Sequence, residues 1–400
     1  MAQNIGTRST LQVISEARGV RDVADKIWFL EPNAQPLLTF LTGLEKKTPT
    51  KNPKYEWHDD DYVARWAQTT GTTYTATNTS IVVTDATLFR EGDMVAVPNA
   101  VSSSTAPQLM YVTAVDTGTN TLTVVRNIGG AGAAQIDASS ALTFAGSAFV
   151  EGANFPKMKS TSPVASYNYT QIFRTPIVIT GTNMATDTYG KSDLELLRFK
   201  KAAEHKIDIN RAFLFGRKQE DTSTYSTPIR YTEGLFSKVS TNVTNANGTL
   251  TQQTLENFAR QAFRYGKDKK VLLASPLVCS AINQFAKSHM TMSPGEKKYG
   301  VSTRTIITAH GEWLLVKDWM LEDGVSGKNG FGGNAFSLDL DSISMRFLSG
   351  NGVSRDTKYL EDSVQDGSDK RSDEYITEIG IQINNEKHHA RLFNVTGYST

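Results

Sequence analysis

No lysine occurs between Lys54 and Lys157, although the sequence on either side is rich in it. Inside this gap, from Gln68 to Ala145, the residues are mostly Thr, Val, Ala, Gly and Ser. Short β-branched runs stand out: Ser80 to Val83, Met94 to Val97, Leu109 to Val115 and Thr121 to Val125. Turn residues such as Glu91-Gly92-Asp93 and Thr117-Gly118-Thr119-Asn120 separate them, a pattern that predicts a small all-β module. Its composition differs from both flanks, so it is expected to be an insertion spanning 67–145. Whatever the rest of the chain folds into must therefore accept a separate domain in mid-sequence.

The flanks read as parts of one element. Tyr55 and Trp57 alternate with polar residues before the gap, and Tyr169 to Arg174 continues into Ile177, Val178 and Ile179 after it. Both are strand patterns. They are expected to pair as a long two-stranded arm over 51–66 and 146–180. Tyr55, Trp57, Tyr169, Phe173 and Arg174 are its candidate assembly contacts. A lone ribbon is marginal in water and needs a neighbour to lie on.

The longest helical pattern runs from Lys191 to about Gly216. Ser192 suits the N-cap, Asp193 and Glu195 suit the first turn, and Gly216 suits the stop. Leu196, Phe199, Ala202, Ala203, Ile207, Ile209, Phe213 and Leu214 form a wide apolar face. From Thr251 onward helix and strand alternate. Thr251 to Tyr265 is helical, Lys270 to Ala274 is a buried strand, and Ser275-Pro276 opens another helix. Trp313 to Val316 and Ile343 to Phe347 are strands, with a glycine-rich loop, Gly324 to Gly333, before the second. A hairpin through Asn384 to Lys387 is expected to join Tyr375–Ile383 to a strand from about His389 to Val395.

Composition excludes several functions. Hydrophobic residues make up 39% and charged residues 21%, the range of an ordinary globular protein. Forty-two Lys and Arg against 41 Asp and Glu leave a net charge of +1, which provides no global field to hold nucleic acid. The single cysteine, Cys279, excludes an intrachain disulfide framework and a cysteine-rich zinc site. The opening MAQNIGTRSTLQ has no apolar core of signal-peptide length, and no run is long enough for a spanning helix, so synthesis in the cytoplasm is expected.

No catalytic constellation emerges. The six histidines, His58, His205, His289, His310, His388 and His389, make no metal-binding pair, and His388 and His389 are expected on opposite faces of a strand. Glu56 with Asp59, Asp60 and Asp61 lacks the ligand spacing and glycine of a calcium loop and reads as a solvated strand end. Asn127 to Gly132 is followed by no helix, so it reads as the end of the β module and not as a dinucleotide loop. Cys279 reads as a buried thiol. No cofactor, metal or catalytic residue is expected, and the chain reads as a non-enzymatic structural subunit.

Tyr167 to Ile179, leading into the helix that ends Asp208-Ile209-Asn210-Arg211-Ala212-Phe213-Leu214-Phe215-Gly216, is similar to one large group of phage head proteins. Gly234-Leu235-Phe236 resembles the linker between the two domains of that group. Asp22 to Ile27 followed by Pro36-Leu37-Leu38 resembles its N-terminal segment. The whole order resembles the Hong Kong 97-type fold of tailed-bacteriophage major capsid proteins, an α+β fold, here with a small all-β insertion.

The resemblance implies an N-terminal arm over 1–50 and an extended β loop over 51–66 and 146–180. It implies a peripheral domain over 181–248 and 343–400 with a spine helix over 191–216, and an axial domain over 249–342. It implies pentamers and hexamers closing into an icosahedral virion shell around double-stranded DNA, held without sequence-specific contacts and without a membrane. Partners implied are a separate scaffolding protein, a portal and a decoration protein. Assembly is expected in the host cytoplasm. The alternatives are a nanocompartment shell of the same fold loaded with an enzyme, and a phage surface adhesin.

Overall fold

The computed structural model describes residues 36–98, 107–130, 132–187, 192–288, 292–294, 304–322, 331–361 and 369–398. The first 35 residues of the expected N-terminal arm, and 324–330 of the glycine-rich loop, lie outside them. The chain divides into two compact units, His58–Ala165 and the sequence flanking it.

The inserted unit contains the four predicted strands, seen as Ser80–Val82, Asp93–Val97, Gln108–Asp116 and Thr121–Arg126. Two more, Trp66–Gln68 and Ala141–Ser147, complete a six-stranded antiparallel sheet. The outermost strands of that sheet meet each other. Thr69 bridges Val83, the Thr70 N–H donates to the Val82 carbonyl at 3.0 Å, and the Thr84 N–H donates to the Gln68 carbonyl at 2.8 Å. The sheet is thereby closed into a small barrel, which removes the exposed edges that would otherwise template aggregation. Alternate residues fill its interior, among them Ile81, Val95, Met110, Val112, Leu122, Ile136 and Leu142.

In the flanking unit a six-stranded sheet includes, in order, Lys47–Thr50, Ile343–Gly350, Lys370–Ile383 and Gln171–Thr180. The first pair is parallel and the others antiparallel. Two expectations change here. Residues 47–50 are a sheet strand and not part of a free arm. Gln171–Thr180 does not extend the ribbon: it pairs along its whole length with Lys370–Ile383. The ribbon is the shorter pair Lys54–Asp59 and Val164–Tyr169.

The spine helix is Asp193–Phe215, roughly 35 Å long at 1.5 Å per residue. The Ser192 side chain accepts the Glu195 N–H, as an N-cap should. At the other end a Cβ on Gly216 would lie 2.3 Å from the Thr232 carbonyl oxygen, so close backbone approach requires glycine there. Only the second half of the helix is deeply buried, through His205, Ile209, Asn210, Phe213 and Leu214. Phe199, expected on the inner face, is 60% exposed.

A seven-stranded sheet runs Val243–Leu250, Ala390–Tyr398, Ala335–Leu338, Lys269–Ala274, Glu312–Lys317, Arg304–Ile307, Met292–Pro294. Helices Gln252–Ala262 and Pro276–Ser288 follow the first and fourth of these strands. Alternate side chains enter two different cores. Val271, Leu273, Leu314, Val316, Phe336 and Leu338 join Phe213 and Leu214 of the spine helix and Ile379 and Ile381 of the six-stranded sheet. Leu272, Ala274, Trp313 and Leu315 join Phe258, Val278 and Ile282 of the two helices. This sheet is buried on both faces, which explains its continuous apolar runs.

The expected peripheral and axial boundaries therefore shift. Val243–Leu250, which crosses the expected boundary at 248/249, and Ala390–Tyr398, expected in the peripheral domain, pair with each other inside the seven-stranded sheet. The expected C-terminal hairpin is absent. The chain instead passes from one sheet to the other through Asn385, at φ 44°, and a 3₁₀ turn, Glu386–His388. His388 thus lies in that turn and not on a strand.

Candidate assembly joint

The ribbon is fixed at its base by polar groups that its own sequence supplies. The Tyr55 hydroxyl donates to the Ile381 carbonyl at 2.8 Å. The Asn168 amide donates to the same carbonyl at 2.7 Å and to the Glu233 carbonyl at 3.2 Å, while its Oδ1 accepts the Glu233 N–H at 2.7 Å. Thr170 donates to Glu378 Oε1 at 3.0 Å. Burial pushes the Tyr55 hydroxyl far above the usual phenol range, so it stays a donor. A Cβ at Gly380 would sit 2.5 Å from the Tyr169 carbonyl oxygen and 2.6 Å from the Tyr55 hydroxyl. Only glycine lets the ribbon lie this close to the sheet.

The five sequence-named residues divide accordingly. Tyr55 and Trp57 stack at 6.0 Å and are buried within their own unit, with the Lys238 ammonium 5.4 Å from the Trp57 ring centre. Phe173 is part of the large core. All three side chains are covered by the same chain. Tyr169 is half-buried beside Tyr167, with ring centres 5.8 Å apart. Arg174 keeps a side chain that is 63% exposed and binds Glu374 through Nε at 2.9 Å and Nη2 at 2.8 Å. The structure gathers Tyr55, Trp57 and Tyr169 at the ribbon base and sets Phe173 and Arg174 on opposite faces of Gln171–Thr180.

Two further groups hold the spine helix to the sheet, and sequence reasoning passed over both. His205 lies between Thr175, 2.8 Å from Nδ1, and Thr377, 2.7 Å from Nε2. Thr377 already donates to Thr357, so it accepts from Nε2–H, and Thr175 donates to Nδ1. Burial lowers the His205 pKa and favours this neutral ring. Asp373, fully buried, takes Arg198 at 3.1 Å, Arg371 at 3.0 Å and the Tyr359 hydroxyl. Burial, then the Asp373 hydrogen bond, pushes Tyr359 up to about 12. The available signal was a histidine and an arginine on the sheet-facing side of an otherwise amphipathic helix.

The titratable groups elsewhere do not converge. Burial pushes the Cys279 thiol up to about 12, which removes its nucleophilic form at neutral pH. Lys270, lowered by burial to about 8, donates to the carbonyls of Ala262, Tyr265 and His388, each at 2.6 Å. It satisfies orphan groups at the end of helix Gln252–Ala262. Glu56 pairs with Lys54 at 2.7 Å. Among the described residues no group of three His, Cys, Asp or Glu side chains is placed to hold a metal ion, and no helix is long and apolar enough to cross a membrane.

Comparison with known proteins supplies the remaining observation. A family model described as SU10 major capsid protein matches residues 3–396. The major capsid protein of Pseudomonas phage PaMx41 is 25% identical, with 63% of this chain and 61% of that protein covered. The chain thus spans less than two thirds of the length of that relative. Among solved structures, the capsid of an empty GTA particle matches with a TM-score of 0.51 at 8% identity, over 98% of this chain and 100% of that one. The SrpI encapsulin from Synechococcus elongatus PCC 7942 matches with a TM-score of 0.49 at 9% identity, over 99% of each chain.

Proposed function

Because this chain belongs to the SU10 major capsid protein family, we propose that its copies assemble as pentamers and hexamers into an icosahedral head that encloses double-stranded DNA. The fold is of the Hong Kong 97 type, and the role of a major capsid protein is structural. The observation that carries the proposal is the match to a capsid family over nearly the whole chain, in a molecule whose ribbon is bolted at its base. A short ribbon standing on a rigid joint can transmit a contact with a neighbour to the cores behind it. Individual contacts need only be modest, because a closed shell repeats them.

The ribbon, with Tyr169 and Arg174 near it, lies over an adjacent subunit. A separate scaffolding protein sets the curvature, a portal occupies one vertex, and a decoration protein docks outside. The net charge of +1 suits a wall that encloses DNA without gripping it. Synthesis and assembly take place in the host cytoplasm, and the mature protein resides in the virion.

Negative-stain microscopy with light scattering on the purified chain, with and without its scaffold, tests this reading. Rings of five and six or closed shells are expected. A species that stays monomeric or trimeric with scaffold supplied refutes it.

A further inference from the structure

An open cleft of about 770 Å³ lies at the base of the ribbon. Its wall carries four cations, Lys51, Lys54, Arg230 and Arg346, and two carboxylates, Glu56 and Glu220. Lys54 pairs with Glu56 at 2.7 Å, and Arg230 pairs with Glu220 at 2.7 Å. Among the described residues no carboxylate pairs with Lys51 or Arg346. Arg346 Nε donates to Gln382 Oε1 at 2.6 Å, and the Gln382 amide nitrogen is itself turned to Asn384. A neutral amide leaves the guanidinium charge in place. The remaining N–H donors of Arg346 form a fork that suits a carboxylate. The wall therefore carries two positive charges in excess, four cations less two carboxylates.

Resting on the assembly reading above, we propose that this cleft receives the acidic run Asp59-Asp60-Asp61 of a second copy of the chain. That run is the only place where three acidic residues stand consecutively in the sequence. Asp60 and Asp61 are exposed. The first 35 residues are a poorer match on charge, with Arg8, Arg18, Arg21 and Lys26 balanced by Glu16, Asp22, Asp25 and Glu31. Each copy carries one cleft and one run, so the contact is heterologous and propagates from subunit to subunit around a ring. Opposite charges meeting in this way select register and raise the association rate.

Site-directed cross-linking tests the contact. In a Cys279→Ser background, Lys51→Cys and Asp60→Cys are made in separate preparations, both at exposed positions. The preparations are mixed and oxidised under assembly conditions. A disulfide-linked dimer is expected in the mixture, absent from either preparation alone, and absent when Glu256→Cys replaces Asp60→Cys. In parallel, Asp60→Lys/Asp61→Lys is expected to raise the concentration needed for shells by about tenfold or more, since like charges then face each other. Lys51→Glu added to it is expected to restore most of the loss. Shells that form without the cross-link, and with the lysine variant at parental concentration, overturn the cleft proposal and leave the capsid reading standing. Cross-linked dimers without shells do the reverse.

Discussion

Acidification should loosen the seven-stranded sheet through one side chain. His389 is fully buried, and its Nδ1 accepts the Asp339 backbone N–H at 3.3 Å. Protonation would place a second N–H against that donor. Burial, and after it the charge of Lys270, lower the His389 pKa from 6.5 to about 3. The unfolded chain therefore binds a proton between those two values while the folded chain does not, and stability falls as pH drops below 6.5. From pH 8 to pH 5 this one group should remove about 2 kcal/mol. His389→Gln keeps an acceptor for the Asp339 N–H and cannot titrate. Asp318, raised by burial to about 6, pulls the opposite way, and His205 pulls the same way. Both are present in parent and variant, so they cancel in the difference. The assay is hydrogen exchange with mass-spectrometric readout over 335–338 and 390–398 in the unassembled subunit at both pH values. Parent and variant losing protection in parallel would show that His389 is not the group responsible.

Three more outcomes are expected. Gly380→Ala should push the ribbon base from the sheet, lowering stability by about 1–3 kcal/mol and reducing shell yield, read by thermal unfolding and sedimentation. Asp373→Ala leaves Arg198 and Arg371 around an empty buried site and should cost about 3–5 kcal/mol in urea unfolding, whereas a loss under 1 kcal/mol would mean the two arginines find water. Phe213→Ala, a fully buried ring of the spine helix, should cost about 3–5 kcal/mol, measured by the shift in unfolding midpoint.

Local features were legible wherever the signal is local. Ser192 marks the helix start because N-capping involves neighbours within four residues. The barrel strands announce themselves by alternation and turn residues. Pairing was less legible. Alternation in Gln171–Thr180 specifies a strand with one covered face, but its partner, Lys370–Ile383, lies some 200 residues away, and hydropathy carries no address. The same ambiguity explains the contact residues. Tyr55, Trp57 and Phe173 read as assembly contacts, but sequence alone does not say whether such side chains are covered by the same chain or by a neighbour. Arg346 was invisible for another reason: an arginine on a strand is ordinary until its surroundings show that, among the described residues, no carboxylate pairs with it.

The closed barrel also bears on how such a chain changes over generations. Trp66–Gln68 and Ala141–Ser147, where the sequence enters and leaves the barrel, are direct neighbours, with Ala67 opposite Leu142. The barrel is thus entered and left through two strands that pair with each other. A cassette with adjacent ends can be exchanged, enlarged or deleted while the flanking residues keep their spacing. The exposed turn at Asp116 to Asn120, where the Asp116 side chain already organises the loop by accepting from Gly118 and Thr119, is a natural place to splice in a foreign peptide. Exchange of the barrel can in this way proceed while the sequence on either side of it is kept.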